Sequence, residues 1–147
     1  MKRTVYLLLF RGVGGKTQLP VQALREKLTA AGFENVANYI NSGNAIVRSR
    51  LSRKQVIATI AELCRKHFNF DKAIFAPTLA EWDDLIARNP FPKAAVTAPT
   101  TVHAALLEAA PKAEYVEHIR ALAVKGEDIK VIKEVAYIHT PNGFGTC

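Results

Sequence analysis

Thr4-Val5-Tyr6-Leu7-Leu8-Leu9-Phe10, followed at once by Arg11-Gly12-Val13-Gly14-Gly15-Lys16-Thr17-Gln18-Leu19-Pro20, is the stretch from which the fold can be read. Its first half is an unbroken apolar run rich in β-formers, which predicts a strand covered on both faces. Its second half is a glycine-rich turn closed by Pro20, a residue that suits the first turn of a helix because the N–H it lacks is one the helix does not use. Val21, Leu24 and Leu28 then repeat at helical spacing until Gly32 ends the pattern. Strand, loop and helix in this order open an α/β unit.

Working outward, residues 36–40 and 45–48 flank Asn41-Ser42-Gly43-Asn44, which reads as a hairpin with glycine supplying the positive φ. Ser52 and Gln55 make a capping box, and behind it Val56, Ile60, Leu63, Cys64 and His67 mark one face of a long helix. Residues 71–76 add a short strand, completing β-α-β-β-α-β. Thr78 and Glu81 form a second capping box, opening a helix with Leu79, Trp82, Leu85 and Ile86 inward. Asn89-Pro90-Phe91-Pro92 stops that helix. From there to Thr100 the chain is rich in Ala, Pro and Thr and marks the internal boundary. A strand over 102–107, a helix from Pro111 with Tyr115, Ile119 and Leu122 inward, and strands over 129–132 and 135–139 repeat β-α-β-β. A helix of about twelve residues and a strand of about six each span roughly 20 Å, so the elements can pack as two layers.

The bulk numbers agree. A chain of 147 residues makes one domain or two small packed units, and 49% hydrophobic residues supply a core. Cys64 in a helical pattern and Cys147 at the end form no disulfide framework and suit a reducing cytoplasm. The start lacks the long apolar region and cleavage site of a signal peptide, and no stretch approaches the roughly eighteen apolar residues of a membrane span. A net charge of +7 favours anionic partners, whether phosphorylated metabolites, nucleic acid or acidic proteins.

The loop 11–20, the segment Asn38-Tyr39-Ile40-Asn41-Ser42-Gly43-Asn44, the quartet Asn89-Pro90-Phe91-Pro92 and Tyr137-Ile138-His139-Thr140-Pro141-Asn142-Gly143 resemble, in order, the RGINVGGKN, YINSGN, NPFP and Y-x-H-x-PNG elements of one bacterial family, domain of unknown function 1697. The resemblance runs along nearly the whole chain. It implies a paired ferredoxin-like α+β architecture and brings no activity with it. Two departures stand out. The first loop lacks the Ile-Asn of the family pattern, and the chain stops at Phe144-Gly145-Thr146-Cys147 where relatives continue into a helical segment with an RNWNT-like motif. The fold expected is therefore α+β, two tandem ferredoxin-like (β-α-β-β-α-β) units with the second incomplete. The units are 1–77 and 101–147, joined by the helix and NPFP loop of 78–100.

Gly15-Lys16-Thr17 looks like the end of a nucleotide-binding P-loop, but the glycine required five positions before Gly15 is Phe10. A looser reading has backbone N–H groups near a helix start, with Arg11 and Lys16, holding a phosphate or carboxylate. The competing reading is a βα connection whose glycines only permit the turn. In a sheet of order 4-1-3-2, β1 ends at the edge where the β2–β3 hairpin turns. Arg11, Gly14, Gly15 and Lys16 should then lie near Asn41, Ser42 and Asn44, with Asp71 and Lys72 arriving at the same edge.

Arg48, Arg50, Arg53 and Lys54 form the densest basic segment, which suits phosphate backbones or a solvated rim; Arg48 and Arg50 share a strand face. No aromatic RNA-reading pattern accompanies it. His67, His103, His118 and His139 lack metal-ligand spacing, so no metal and no cofactor is expected. Trp82 and Tyr115 read as core residues. The reading is a protein that binds a small anionic or phosphorylated ligand at the first-unit loops. Its alternative is weak nucleic-acid binding or protein interaction, including a homodimer, with no membrane partner.

Overall fold

The computed structural model describes residues 2–39 and 43–146. Among them the chain is a mixed α/β fold with two antiparallel sheets and five α-helices, and it divides into two compact units, Met1–Asp83 and Asp84–Cys147. No helix among the described residues is long and apolar enough to cross a membrane.

The first unit runs β1 (Thr4–Phe10), α1 (Val21–Ala30), β2 (Glu34–Asn38), β3 (Ala45–Ser49), α2 (Arg53–Phe68) and β4 (Ile74–Phe75), with sheet order β2-β3-β1-β4. That is the expected strand order. β1 is antiparallel to β3, with Leu8 opposite Ala45 and Tyr6 opposite Val47. These residues, with Phe10, share one buried face onto which Leu24 and Leu28 of α1 and Val56, Ile60, Leu63 and Cys64 of α2 pack. Val5, Leu7 and Leu9 on the opposite face are only half-buried, so β1 is not covered equally on both faces as its composition suggested. The reason is the antiparallel sheet, which keeps its helices on one side.

Local chemistry sets the boundaries. Ser52 accepts the Gln55 N–H while the Gln55 side chain accepts the Ser52 N–H, so two donors at the start of α2 are satisfied reciprocally. Asn69, at φ 50°, caps the other end in the left-handed region, and the N–H of the next residue, Phe70, donates to the Cys64 carbonyl at 3.2 Å. His67 falls on the exposed side of α2, and its place inward is taken by half-buried Phe68. The last strand is shorter than expected. Only Ile74 and Phe75 pair with β1, and the polar Asp71-Lys72 pair lies outside the strand, though the Arg11 N–H still reaches the Ala73 carbonyl at 3.0 Å.

The second capping box is present as well, with Thr78 and Glu81 exchanging backbone-to-side-chain hydrogen bonds of 2.9 and 3.3 Å at the start of α3 (Leu79–Ala87). Trp82 and Leu85 are half-buried, whereas Leu79 and Ile86 are exposed, so that helix's apolar face is only partly used. The expected loop after Asn89 instead contains α4 (Pro92–Thr97) and a single 3-10 turn, Pro99–Thr101. The Asn89 side chain accepts the Phe91 N–H at 2.9 Å, and proline then occupies the first helical position, where its missing N–H costs nothing.

The second unit continues with β5 (Val102–Leu106), α5 (Ala113–Ala121), β6 (Asp128–Ile132) and β7 (Val135–His139), in the sheet order β5-β7-β6. Its core is thin: among the described residues only Ala136 and Tyr137 are fully buried hydrophobics. Tyr137 donates its hydroxyl to the Leu85 carbonyl at 2.6 Å. Tyr115, expected inside, is 58% exposed, and Ile119 and Leu122 are likewise exposed.

Candidate functional site

The end of β1 carries the chain into the glycine-rich loop. Gly12, at φ 68°, lies beside the aliphatic stem of Lys72; a Cβ there would stand 3.9 Å from its Cγ. Further on, the Gly14 N–H donates to the Thr17 carbonyl at 2.7 Å and the Thr17 N–H to the Gly14 carbonyl at 2.9 Å. The loop tip is thus a small self-paired turn, with Gly15 at φ 55° and the Gln18 side chain on the Gly15 carbonyl. Leu19, 2% exposed, pins the loop to the core before Pro20 leads into α1.

Self-pairing occupies two N–H groups that a phosphate cradle would use, and α1 starts five positions after Lys16. Both facts separate the loop from a P-loop, in which the helix follows the lysine directly. Gly14, Gly15 and Lys16 are exposed, and no other segment comes within 4 Å of a Cβ built on either glycine. Arg11 is exposed at the loop's base.

The hairpin does reach this loop. Gly43, at φ 80°, is buried so closely that a Cβ would stand 3.2 Å from the Leu19 side chain and 3.6 Å from Phe10. The Tyr39 N–H bonds to the Asn44 carbonyl at 2.9 Å, closing the strands. Asn44 is half-buried; Asn41 and Ser42 lie outside the described residues. Loop, hairpin and the approach to β4 therefore meet at one edge of the sheet through Gly43, Leu19, Gly12 and Lys72. The tip bearing Lys16 stands clear of them.

The basic segment is divided by the fold. Arg48 lies opposite Val5 and Glu34 on the sheet face away from the helices. Arg50 lines a cleft of about 410 Å³ with Arg3, Glu34 and Ser49, where Arg3 pairs with Glu34 at 2.9 Å. Arg53 is paired with Glu81, and Lys54 sits beside it on the outer side of α2. Burial raises the Glu81 pKa, but the Thr78 N–H and the Arg53 guanidinium more than offset it, so the carboxyl titrates below its ordinary range. No single basic surface of four free cations results.

Two features had no signal in the sequence. Within the second unit, Ile119 of α5 and Leu122 just after it, Ile129 and Ile138 of the sheet, Thr140 and Phe144 line an apolar cavity of about 290 Å³. The Thr140 hydroxyl is buried without a partner among the described residues. In the first unit the same holds for both side-chain polar atoms of Asn38. The histidines are dispersed. The His139 ring lies tilted against Phe91 with centroids 5.3 Å apart, and His103 against Phe144 with centroids 4.5 Å apart. His67 is exposed, and desolvation followed by the charges of Lys27 and Lys66 lowers its pKa. Among the described residues no group of three His, Cys, Asp or Glu side chains could hold a metal ion.

A family model described as Protein of unknown function (DUF1697) matches residues 1–137. No curated protein matches the chain. Among solved structures, a conserved bacterial protein from Streptococcus pneumoniae is similar, with a TM-score of 0.73 and 24% identity over 96% of this chain and 79% of that one. At that identity the likeness speaks for the fold alone. With the family model covering all but the last ten residues, the chain belongs to the DUF1697 family.

Proposed function

We propose that the first unit binds a small anionic ligand, phosphorylated in its simplest form, at the edge where the glycine-rich loop, the hairpin and the approach to β4 converge. The observation that carries this reading is the contact of Gly43 with Leu19 and Phe10 together with that of Lys72 with Gly12. Through it, Arg11, Lys72 and Asn44 share one edge, with Lys16 on the projecting tip. Gly14 and Gly15 keep that tip narrow, and the reading extends to Asn41 and Ser42, which lie outside the described residues. Charge-assisted hydrogen bonds are about twice as strong as neutral ones, so the cations dominate affinity. In calorimetric titration with inorganic phosphate and phosphorylated metabolites, Arg11→Ala/Lys16→Ala should weaken binding at least tenfold while circular dichroism stays unchanged. Equal affinity in a folded double variant would refute the site.

The architecture belongs to the same reading. The β-α-β-β-α-β succession with order β2-β3-β1-β4 supports a ferredoxin-like first unit over 1–77. The β5-β7-β6 sheet with α5 supports an incomplete second over 101–147, with 78–100 connecting them. A cytoplasmic location is part of it too, on the buried free thiol of Cys64.

Two observations favour lesser readings. Arg48, Arg50 and Lys54 would support weak nucleic-acid contact, with Arg53 already engaged by Glu81. Labelled RNA and DNA at physiological salt should bind weaker than micromolar and without sequence preference. Exposed Tyr115 and Ile119 on α5, with Leu122 at its C-terminal cap, favour protein interaction, a homodimer being its simplest form. Sedimentation at several concentrations tests that, and a monomer throughout would end it.

A further inference from the structure

β5 (Val102–Leu106) stands at one end of the second unit's sheet, whose order is β5-β7-β6. β1 opens the first unit in the same way, with β3 on one side, but β4 pairs antiparallel along its other side. Among the described residues no strand takes that place beside β5. The ladder to β7 shows which groups are left over. The Leu107 N–H donates to the Glu134 carbonyl at 2.8 Å, and the Thr140 N–H to the Thr101 carbonyl at 2.9 Å. Backbone groups alternate sides along an antiparallel strand, so His103 and Ala105 also bond β7, while Val102, Ala104 and Leu106 turn theirs outward. At Ala104 and Leu106 neither the N–H nor the C=O has a partner among the described residues, and Ala104 is exposed.

Open sheet edges are normally blunted by charge, proline or a bulge. β6, at the other end, carries Asp128 and Lys130. β5, Val-His-Ala-Ala-Leu, has no acidic residue, lysine, arginine or proline, and it pairs with β7 without a register shift. It is also self-complementary. Turned antiparallel about Ala104, a second copy sets Ala104 against Ala104, Val102 against Leu106 and His103 against Ala105. Ala104 then bonds its counterpart in both directions, and each Leu106 N–H meets the Val102 carbonyl of the other copy. Beyond the strand Glu108 falls opposite Thr100, so no like charges meet. We propose that two copies of the chain join through β5, about a twofold axis at Ala104, so that two three-stranded sheets become one of six strands. This rests on the homodimer reading above and assigns its contact to β5.

The test uses the whole chain. In sedimentation across a concentration series, wild type should pass from monomer to dimer. Ala104→Lys and Ala104→Glu each set like charges face to face at the axis and should weaken that association about tenfold. An equimolar mixture of the two should restore it, because Lys then faces Glu, with circular dichroism reporting the fold of each. Amide exchange on wild type needs no variant. The N–H groups of Ala104 and Leu106 should exchange more slowly as concentration rises, whereas those of Ile129 and Val131, which the same alternation turns outward from β6, should not change. A dimer that neither charge weakens, a mixture that stays dissociated, or exchange at Ala104 and Leu106 that ignores concentration overturns the β5 contact and leaves the homodimer reading standing. A monomer at every concentration overturns both.

Discussion

The guanidinium of Arg53, the first residue of α2, donates to the carboxylate of Glu81, in the first turn of α3, and that carboxylate also accepts the Thr78 N–H. One side chain thereby caps a helix and fastens it to the start of another within the first unit. Glu81→Gln should keep part of the cap and lose the ion pair, whereas Glu81→Ala loses both and should destabilise by about 1 kcal/mol. Arg53→Ala removes only an exposed pair and should cost less. Because the folded-state pKa of Glu81 is depressed, its contribution is present above the ordinary glutamate value and is lost as pH falls through the folded one. Urea denaturation of wild type and Glu81→Ala between neutral and acid pH should show the two converging at the acid end.

Gly43 holds the hairpin against the loop. At φ 80°, with the Leu19 side chain 3.2 Å from where its Cβ would stand, it tolerates no side chain without strain. Gly43→Ala should destabilise by about 1–2 kcal/mol from the left-handed conformation alone, and further if Leu19 has to move. Chemical denaturation measures the loss, and an unaltered midpoint would contradict the contact.

Tyr137 is nearly fully buried, and its hydroxyl donates to the Leu85 carbonyl at 2.6 Å. Burial, then the Asp84 carboxylate, raises its pKa, with Arg88 opposing. Tyr137→Phe keeps the ring and leaves that carbonyl unpaired, for an expected loss of about 1–2 kcal/mol. With so thin a core around it, the loss should appear first in the second unit's amide exchange.

Cys64 is buried in α2, and that burial pushes its thiol up to about 11. The thiolate is the reactive form, so native Cys64 should resist alkylation at neutral pH and label on unfolding, as peptide mass spectrometry would show. Its raised pKa also makes the protein lose stability as pH climbs from the ordinary thiol value through the folded one.

Elements set by short-range chemistry were legible in the sequence. Ser52 with Gln55, Thr78 with Glu81, Pro20 and Gly43 each announce a boundary in their own side chain or lack of one. α4 had its signal too, in Pro92 at a first helical position, but the proline read as a stop rather than a start. Faces were less legible. The spacing of Tyr115, Ile119 and Leu122 reveals a helix without revealing whether anything covers it. Arg53 met by Glu81, and the Asn38 amide without a hydrogen-bond partner among the described residues, are tertiary facts that no local pattern encodes.

The interruption in β2, where the register slips between Glu34 and Ala37 and Asn35 adopts φ 51°, falls on a strand at the end of its sheet. A bulge there bends the row of outward N–H and C=O groups that another chain would otherwise copy, and Glu34, paired with Arg3, sets charge beside it. At the other end β4 offers only two residues to pair. Neither margin of the four-stranded sheet is a good template for strand addition, so the first unit is guarded against fibril growth by its own irregularities.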